Sequence, residues 1–194
     1  MRNLFQKRFP LLKQLDSVDC GPTCLRMICA HYGKSYSLEE LRTITHFSRT
    51  GVSLLGVKLA AEKIGFQTMA GQTVFQKLRE IDSPFIAHWN HDHFVVVYKI
   101  DGDKVYTADP SGGRVRYTEE EFTKYWAPED TMEGQPSGVV LLMQPTEAFY
   151  EREAQANLRE YNRGLRHIYR YLGQHTRLLT QLIVSLLAIS LLQL

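Results

Sequence analysis

The spacing of apolar residues changes from a helical to a strand-like period about halfway along the chain. Between residues 20 and 32 the apolar side chains recur on one helical face, and Gly33 follows as a stop signal. The sequence S-L-E-E from Ser37 has the pattern of a capping box and predicts a second helix. A third helix is predicted for residues 53–65, and a short fourth helix for residues 73–81.

The second half of the chain contains short β-branched or aromatic runs that are separated by turn signals. These runs predict strands at residues 84–89, 93–100, 104–109 and 138–144. Asp101-Gly102 between two of them is a strong hairpin signal. T-E-E-E from Thr118 repeats the capping-box pattern at the start of one more helix. Helices followed by an antiparallel sheet predict the α+β fold class.

The end of the chain has a different character. Residues 151–177 form a charged helical stretch whose arginines share one face with apolar residues between them. Residues 178–194 carry no charge and reach the lower limit for a membrane-spanning helix, about 17 residues. A basic helix before an apolar run suits the cytosolic membrane surface, whereas a buried helix or an oligomer interface is the alternative. We therefore predict a domain at 1–150, a basic amphipathic linker helix at 151–177 and a partial transmembrane helix at 178–194.

Composition narrows the class of protein. The 194 residues, 44% hydrophobic and 23% charged, suit one globular domain with an appendage. A net charge of +2 argues against a nucleic-acid partner, which usually requires a clustered basic face. The three cysteines lie within ten residues, which is a poor disulfide framework and indicates a reducing compartment. Because the N-terminus has no apolar stretch long enough for a secretory signal, we expect the front of the chain in the cytosol.

Cys20 is the candidate nucleophile among these cysteines. It lies at the start of the first predicted helix, where unsatisfied amides and the helix dipole stabilise a thiolate. We expect Asp19 or Ser17 to cap that helix and Gly21 to leave the backbone open for the carbonyl group of a substrate. The other two cysteines fall inside the helix and are expected to pack as small apolar residues.

Two residues of the predicted sheet can complete a site around this thiol. His93 begins one strand and Asp109 ends the next, and a short hairpin joins the two strands. Antiparallel neighbours joined in this way bring such end residues close together. Asp109 can then orient His93 while His93 faces Cys20, which is the arrangement of a catalytic triad.

A metal or nucleotide site is the weaker interpretation of the same region. His88, His91 and His93 form the sequence H-x-x-H-x-H, but no cysteine or carboxylate block completes a familiar zinc spacing. The sequence G-x-x-x-x-G-K-[ST] does not occur, so we expect no ATP site of the Walker type in this chain. We predict no metal and no cofactor for the site.

The residues around the predicted site resemble a known family. Q-L-D-S-V-D-C-G-P-T-C, H-F-V-V-V-Y and A-D-P, in this order, are similar to the C39 peptidase domain of bacteriocin-processing ABC exporters, which cut double-glycine leaders. The resemblance covers about residues 8–145 and implies a papain-like cysteine protease fold. It implies that Cys20 is the nucleophile, His93 the general base and acid, and Asp109 the residue that orients His93. Gln14 would donate to the oxyanion through its side-chain amide.

The resemblance also implies partners and a location. Such domains cut a leader peptide after a Gly-Gly pair, before the exporter moves the remaining peptide outward. The expected partners are therefore the leader-bearing precursor and the transmembrane and nucleotide-binding domains of an ABC transporter, with dimerisation expected. ATP is expected only in a nucleotide-binding domain that these 194 residues do not contain. The implied place is the cytosolic side of the bacterial cytoplasmic membrane, with the C-terminal helix entering the membrane.

Two other functions remain open at this point. Some relatives have lost the cysteine and only dock a substrate, so a non-cleaving docking domain is the main alternative. Cys20 is present here together with Gln14 and His93, which favours cleavage. A papain-fold transferase, which passes an acyl group to an amine instead of water, is the third hypothesis.

Overall fold

The computed structural model describes residues 8–45, 51–127, 131–132 and 134–152, together with Gln181. The chain divides into two units, Met1–Ala156 and Asn157–Leu194. Almost all of the second unit lies outside the described residues, as do the predicted helices at 151–177 and 178–194 apart from residues 151, 152 and 181. No helix in the described part of the chain is long and apolar enough to cross a membrane.

Three helices form the N-terminal half, and all three are at the predicted places. They are α1 (Cys20–His31), α2 (Leu38–Ile44) and α3 (Leu54–Lys63). The Ser37 hydroxyl accepts a hydrogen bond from the amide of Glu40, and the Ser53 hydroxyl accepts one from the amide of Gly56. These contacts satisfy amides that have no partner within the helix, so the two serines fix where α2 and α3 begin.

The start of α1 differs from the prediction. A 3₁₀ turn, Ser17–Asp19, leads directly into α1, and Asp16 caps this turn in a capping box with Asp19. Asp19 precedes α1 but makes no side-chain capping bond to it, because its carboxylate is paired with Arg42. Asp19 thus occupies the predicted N-cap position of α1, but neither its side chain nor that of Ser17 caps the helix.

An antiparallel sheet forms the second half, and its main path has the order β1-β7-β2-β3-β4-β5, with β6 paired to β7. The strands are β1 (Phe66–Val74), β2 (Phe85–Trp89), β3 (His93–Asp101), β4 (Lys104–Asp109), β5 (Gly113–Thr118), β6 (Thr131–Met132) and β7 (Gln135–Pro145). The four predicted strands are confirmed as β2, β3, β4 and β7. The hairpin signal is confirmed as well, because Gly102 turns between β3 and β4 with φ +62°. The fold class, α+β with N-terminal helices and an antiparallel sheet, is thus as predicted.

The predicted fourth helix, residues 73–81, is confirmed only in part, because its first two residues belong to a strand. Thr73 pairs with Gly138, and Val74 pairs with Ser137, in the β1–β7 ladder. Only α4 (Phe75–Leu78) is helical in this region. Both residues of the predicted helix start are β-branched, which favours the strand once a partner strand is available. The helix α5 (Glu119–Trp126), by contrast, begins with the predicted capping box.

Two apolar layers bury the two faces of the sheet. On one face, Phe94 and Val96 of β3 belong to the cluster that contains α1 and α3. On the other face, Val95 and Val97 belong to the cluster that contains α5. The run F-V-V-V therefore does not alternate with polar residues, because successive side chains of β3 enter opposite layers. This strand carries the candidate histidine at its first position, on a backbone that is held from both sides.

The domain ends in α6 (Glu147–Glu151). The amide and hydroxyl of Thr146 both donate to the carbonyl oxygen of Gly65, at 3.1 and 2.6 Å. Lys34, which follows α1, donates to the carbonyl oxygens of Tyr150 and Arg152. The last described residues of the domain are therefore attached to its N-terminal helices.

Candidate active site

His93 and Asp109 meet at one end of the sheet. Val96 faces Ala108 across the β3–β4 pair, so Asp109 lies diagonally opposite His93, within reach of a long side chain. His93 Nε2 and Asp109 Oδ1 are 2.9 Å apart. The two side chains are 19% and 17% exposed, which leaves them open to a substrate from one side. The structure thus brings together two of the predicted site residues.

Ser111 also binds Asp109 and was missed in the sequence. Its amide and its hydroxyl both donate to Asp109 Oδ1, each at 2.7 Å. A Cβ atom on Gly112 would lie 3.2 Å from Asp109 Oδ2, so the turn closes tightly over the carboxylate. The sequence D-P-S-G carries the signal for such a turn, because an aspartate commonly accepts from the backbone two residues later.

Cys20 is the first residue of α1, and 6% of its surface is exposed. Its neighbour Gly21 is buried, and a Cβ atom there would lie 2.9 Å from Val57 Cγ2 and 3.5 Å from Phe94 Cδ2. The expectation that Gly21 opens the backbone to a substrate is therefore replaced by a packing role. Without a side chain at this position, α1 can approach α3 and β3 closely.

Hydrogen bonds and nearby charges shift the pKa values of His93 and Asp109. Burial alone would lower the pKa of His93, but hydrogen bonds to Asp109 and Cys20 raise that pKa to about 9. Burial alone would raise the pKa of Asp109, but hydrogen bonds from His93 and Ser111 lower it to about 2. At neutral pH the pair is therefore an imidazolium and a carboxylate, and Cys20 is among the groups that favour the charged imidazole. An imidazolium in this position stabilises a thiolate.

The other two cysteines are buried inside α1, as predicted. Cys24 donates its Sγ hydrogen to the carbonyl oxygen of Phe94, at 3.2 Å. Burial raises the pKa of Cys24 well above its usual value, and burial also raises the pKa of Cys29. Both thiols thus remain protonated at neutral pH, which leaves Cys20 as the candidate nucleophile.

Gln14 lies next to the carboxylate side of the site. The backbone amide of Gln14 donates to the carbonyl oxygen of Pro110, at 3.0 Å, so the backbone of Gln14 is fixed beside the Asp109 turn. Its side-chain oxygen is buried and has no hydrogen-bond partner in the described part of the protein. Donation from Gln14 to an oxyanion stays a prediction.

His88 and His91 lie beside the site but contact other aromatic groups. Their ring centroids are 6.5 Å apart, and the ring of His88 is 5.2 Å from that of Phe94. His91 has φ +65° and Asn90 has φ +48°, the values of the tight turn that precedes His93. Among the described residues, no group of three or more histidines, cysteines or carboxylates could hold a metal ion.

A thiol at a helix start, together with an imidazole that interacts with it and that a carboxylate orients, is typical of thiol-dependent hydrolases and acyl transferases. The comparison with family models makes this class specific. The model of the peptidase C39 family matches residues 8–148, which is most of the chain. The chain therefore belongs to the peptidase C39 family, a family of cysteine peptidases.

Sequence relatives are processing and transport proteins. The lactococcin-G-processing and transport ATP-binding protein of Lactococcus lactis subsp. lactis is 38% identical over 123 residues, which are 60% of this chain and 17% of that protein. The colicin V secretion/processing ATP-binding protein of Escherichia coli is 32% identical over 155 residues, which are 79% of this chain and 21% of that protein. The chain thus spans about a fifth of the length of these curated relatives.

Solved structures agree with the family. A double glycine motif protease from an AMS/PCAT transporter, in complex with the leader peptide, has a TM-score of 0.63 and 32% identity. The matched region is 71% of this chain and 91% of the chain of that protease. The peptidase domain of Streptococcus ComA, a bi-functional ABC transporter involved in a quorum sensing pathway, has a TM-score of 0.62 and 28% identity. The matched region is 71% of this chain and 99% of the chain of that peptidase domain.

Proposed function

We propose that this domain is a thiol endopeptidase that cuts a precursor peptide after the Gly-Gly pair of its leader. The observation that carries the proposal is the 2.9 Å contact of His93 with Asp109 at the end of the sheet, together with the interaction of Cys20 with the same imidazole. Family membership supports a peptidase, and the similarity to a double glycine motif protease supports the substrate class. The partner implied directly is a leader-bearing precursor peptide.

The geometry supports a two-step reaction. The Cys20 thiolate attacks the carbonyl carbon of the second glycine, and an electron pair of the C=O bond moves to the oxygen. When this tetrahedral intermediate collapses, the C–N bond breaks and His93 gives its proton to the leaving amine. The leader is then held on Cys20 as a thioester. Water, deprotonated by His93, attacks the thioester, releases the leader as a carboxylic acid and restores the thiol.

The remaining site residues stabilise this sequence of charges. Asp109 holds His93 in the orientation that faces the thiol and stabilises the imidazolium. The oxyanion needs donors that are in place before the reaction, and we assign this role to the side-chain amide of Gln14 and the amide of Cys20. The backbone contact of Gln14 with Pro110 supports this assignment, because it fixes Gln14 beside the Asp109 turn.

We also propose the setting of the domain. The relatives named above are much longer than this chain, so we infer that the domain is part of a dimeric ABC exporter at the bacterial cytoplasmic membrane. The peptidase would lie on the cytosolic side, and residues 178–194 would begin the first transmembrane helix. ATP would bind only in a nucleotide-binding domain outside these 194 residues.

Peptide cleavage tests the enzymatic proposal. The substrate is the leader peptide seen with the AMS/PCAT relative, extended beyond its Gly-Gly pair, and mass spectrometry locates the cut. We expect the 194-residue protein to cut after Gly-Gly and the Cys20→Ala variant to bind the same peptide without cutting it. Binding without cutting by the unaltered protein would instead establish a docking domain. A hydroxamate product in the presence of hydroxylamine, without hydrolysis in its absence, would establish a transferase.

Liposome flotation tests the membrane proposal. We expect the 194-residue protein to float with liposomes of bacterial lipids, and Ile183→Arg to reduce flotation because arginine is unfavourable in the bilayer core. Leu59→Arg is the control, since Leu59 is an exposed leucine of α3, 46% accessible, outside the proposed membrane segment. Equal flotation of the two variants would refute a membrane role for residues 178–194.

A further inference from the structure

Asp19, which directly precedes the nucleophile, is a fully buried carboxylate that the catalytic steps do not use. Its Oδ1 accepts from Arg42 Nε at 2.7 Å, and its Oδ2 accepts from Arg42 Nη2 at 2.5 Å. The amide of Asp16 also donates to Oδ2, at 2.9 Å. The side chain of Asp19 has no exposed surface, whereas that of Arg42 is 35% exposed. A planar guanidinium thus grips a buried carboxylate with two parallel bonds.

We propose that the Asp19–Arg42 ion pair positions Cys20, an inference that rests on the proposed peptidase function and adds a pair of positioning residues to it. Neither side chain is assigned a contact with substrate. Both act through the backbone and the charge environment of the residue that does make this contact.

The backbone at Asp19 is the first route of action. The chain changes here from the 3₁₀ turn to α1, and Asp19 has φ −86° and ψ 3°. This bridge region is sparsely populated and common near active sites. The direction of the Cys20 side chain follows from this junction, because Cys20 is the next residue. The bonds from Arg42 and from the Asp16 amide hold the junction at both carboxylate oxygens.

Charge is the second route of action. A carboxylate that is buried and unpaired beside a thiol disfavours the thiolate, since like charges then lie close together in a medium of low polarity. Arg42 neutralises Asp19 and removes this repulsion. The pair therefore allows a carboxylate to fix the junction without opposing the charge that the nucleophile must develop.

A second arginine pair in the same domain provides a contrast. Arg79 Nη2 and Glu119 Oε2 are 2.6 Å apart, but their side chains are 48% and 36% exposed. Such surface pairs contribute little because water screens them. Arginine can therefore be replaced by lysine at position 42 and at position 79. Comparing the two variants distinguishes the general effect of losing an arginine from the loss of the two parallel bonds to Asp19.

The experiment compares Arg42→Lys with Arg79→Lys in the 194-residue protein. Lysine keeps the charge but cannot form the two parallel bonds. We measure kcat and KM for the leader-containing peptide, and the rate of Cys20 alkylation by iodoacetamide from intact masses. All rates are expressed per folded molecule, with the folded fraction taken from circular dichroism. A second variant changes the buried partner of the same ion pair. Asp19→Asn keeps the size of the side chain and removes its charge.

We expect Arg42→Lys to lower kcat and the alkylation rate about 10-fold with KM within about twofold, because small displacements of a reacting group are costly. Arg79→Lys should change neither rate. Unchanged alkylation in both Arg42→Lys and Asp19→Asn, or a loss that the unfolded fraction explains completely, would overturn the proposal. Since alkylation needs no peptide, an unaltered protein that fails to cut the peptide refutes the proposed function and leaves the comparison of alkylation rates intact.

Discussion

The two sides of the candidate active site are held by different kinds of interaction. On the helix side, Cys20 and Gly21 are buried, and Gly21 packs against Val57 with no room for a side chain. On the strand side, His93 and Asp109 are each nearly a fifth exposed and are fixed by hydrogen bonds. A changed side chain on the helix side should therefore first reduce stability, and one on the strand side should first reduce activity.

The largest expected effect is on the strand side. Asp109→Asn should lower kcat about 10²-fold, because the amide oxygen can still accept from the His93 imidazolium but no longer supplies the negative charge that stabilises it. The thermal midpoint should fall by only a few degrees, since the changed side chain is partly exposed. Peptide cleavage and thermal unfolding measure the two effects.

The control for this prediction lies at the opposite end of the same hairpin. Asp101→Asn is the same substitution on an aspartate whose side chain is 61% exposed and paired with Lys99. It should leave kcat within about twofold of the unaltered protein, as expected for a surface pair. Equal losses at the two positions would contradict a specific role for Asp109.

The pH dependence of stability measures the same strand-side contact without a substrate. His93 has its pKa raised from 6.5 to about 9, so its stabilisation is complete below pH 6.5 and disappears as pH rises through 9. Asp109 has its pKa lowered from 3.8 to about 2, so its stabilisation is complete above pH 3.8 and disappears as pH falls through 2. The free energy of unfolding should thus contain a contribution of about 2 kcal/mol between pH 4 and 6.5.

Chemical denaturation of the His93→Gln variant isolates this contribution. Glutamine does not titrate, so the difference in unfolding free energy between the two proteins should be largest near pH 5 and should decrease towards pH 9. A difference that stays constant from pH 5 to pH 9 would show that His93 and Asp109 do not attract each other as charges.

The parts of the fold that the sequence predicts are those with a local signal. Helices and strands with local signals were predicted correctly, as at Ser37, Ser53 and Gly102. The strands β1 and β5 were missed, and both lie at the ends of the main sheet path, with mostly exposed or half-exposed side chains. Their extended conformation depends on pairing with β7 and β4, which a local pattern does not contain.

Within the site, the residues found from the sequence are those at the ends of predicted elements. Cys20, His93 and Asp109 each occupy such an end. Arg42 was missed because it meets Asp19 across 23 positions of the chain, and nothing near either residue indicates the other. The packing role of Gly21 was missed for the same reason, because Val57 becomes its neighbour only when α1 and α3 pack together.

A smaller effect is expected on the helix side, and it is an effect on stability. Gly21→Ala would place a Cβ atom 2.9 Å from Val57 Cγ2, which should lower the free energy of unfolding by about 1–2 kcal/mol. Gly71→Ala is the control, because no atom lies within 4 Å of a Cβ atom there. Adding Val57→Ala should make the effect of Gly21→Ala smaller, since the methyl group that it meets is removed. Equal destabilisation with and without Val57→Ala, measured by denaturation, would contradict the packing role.

The smallest expected effect returns to the strand side, at Ser111. Ser111→Ala removes the hydroxyl donor to Asp109 but keeps the amide donor, both of which are 2.7 Å from Oδ1. Because one exposed hydrogen bond contributes about 0.5–1 kcal/mol, kcat/KM should fall by at most about 2- to 5-fold, and the free energy of unfolding should fall by no more than about 1 kcal/mol. In the Asp109→Asn background the same substitution should have no effect, since the bond acts only through that carboxylate. Equal losses in both backgrounds would show that Ser111 acts on the substrate instead, and the strand side would then include a contact that Asp109 does not control.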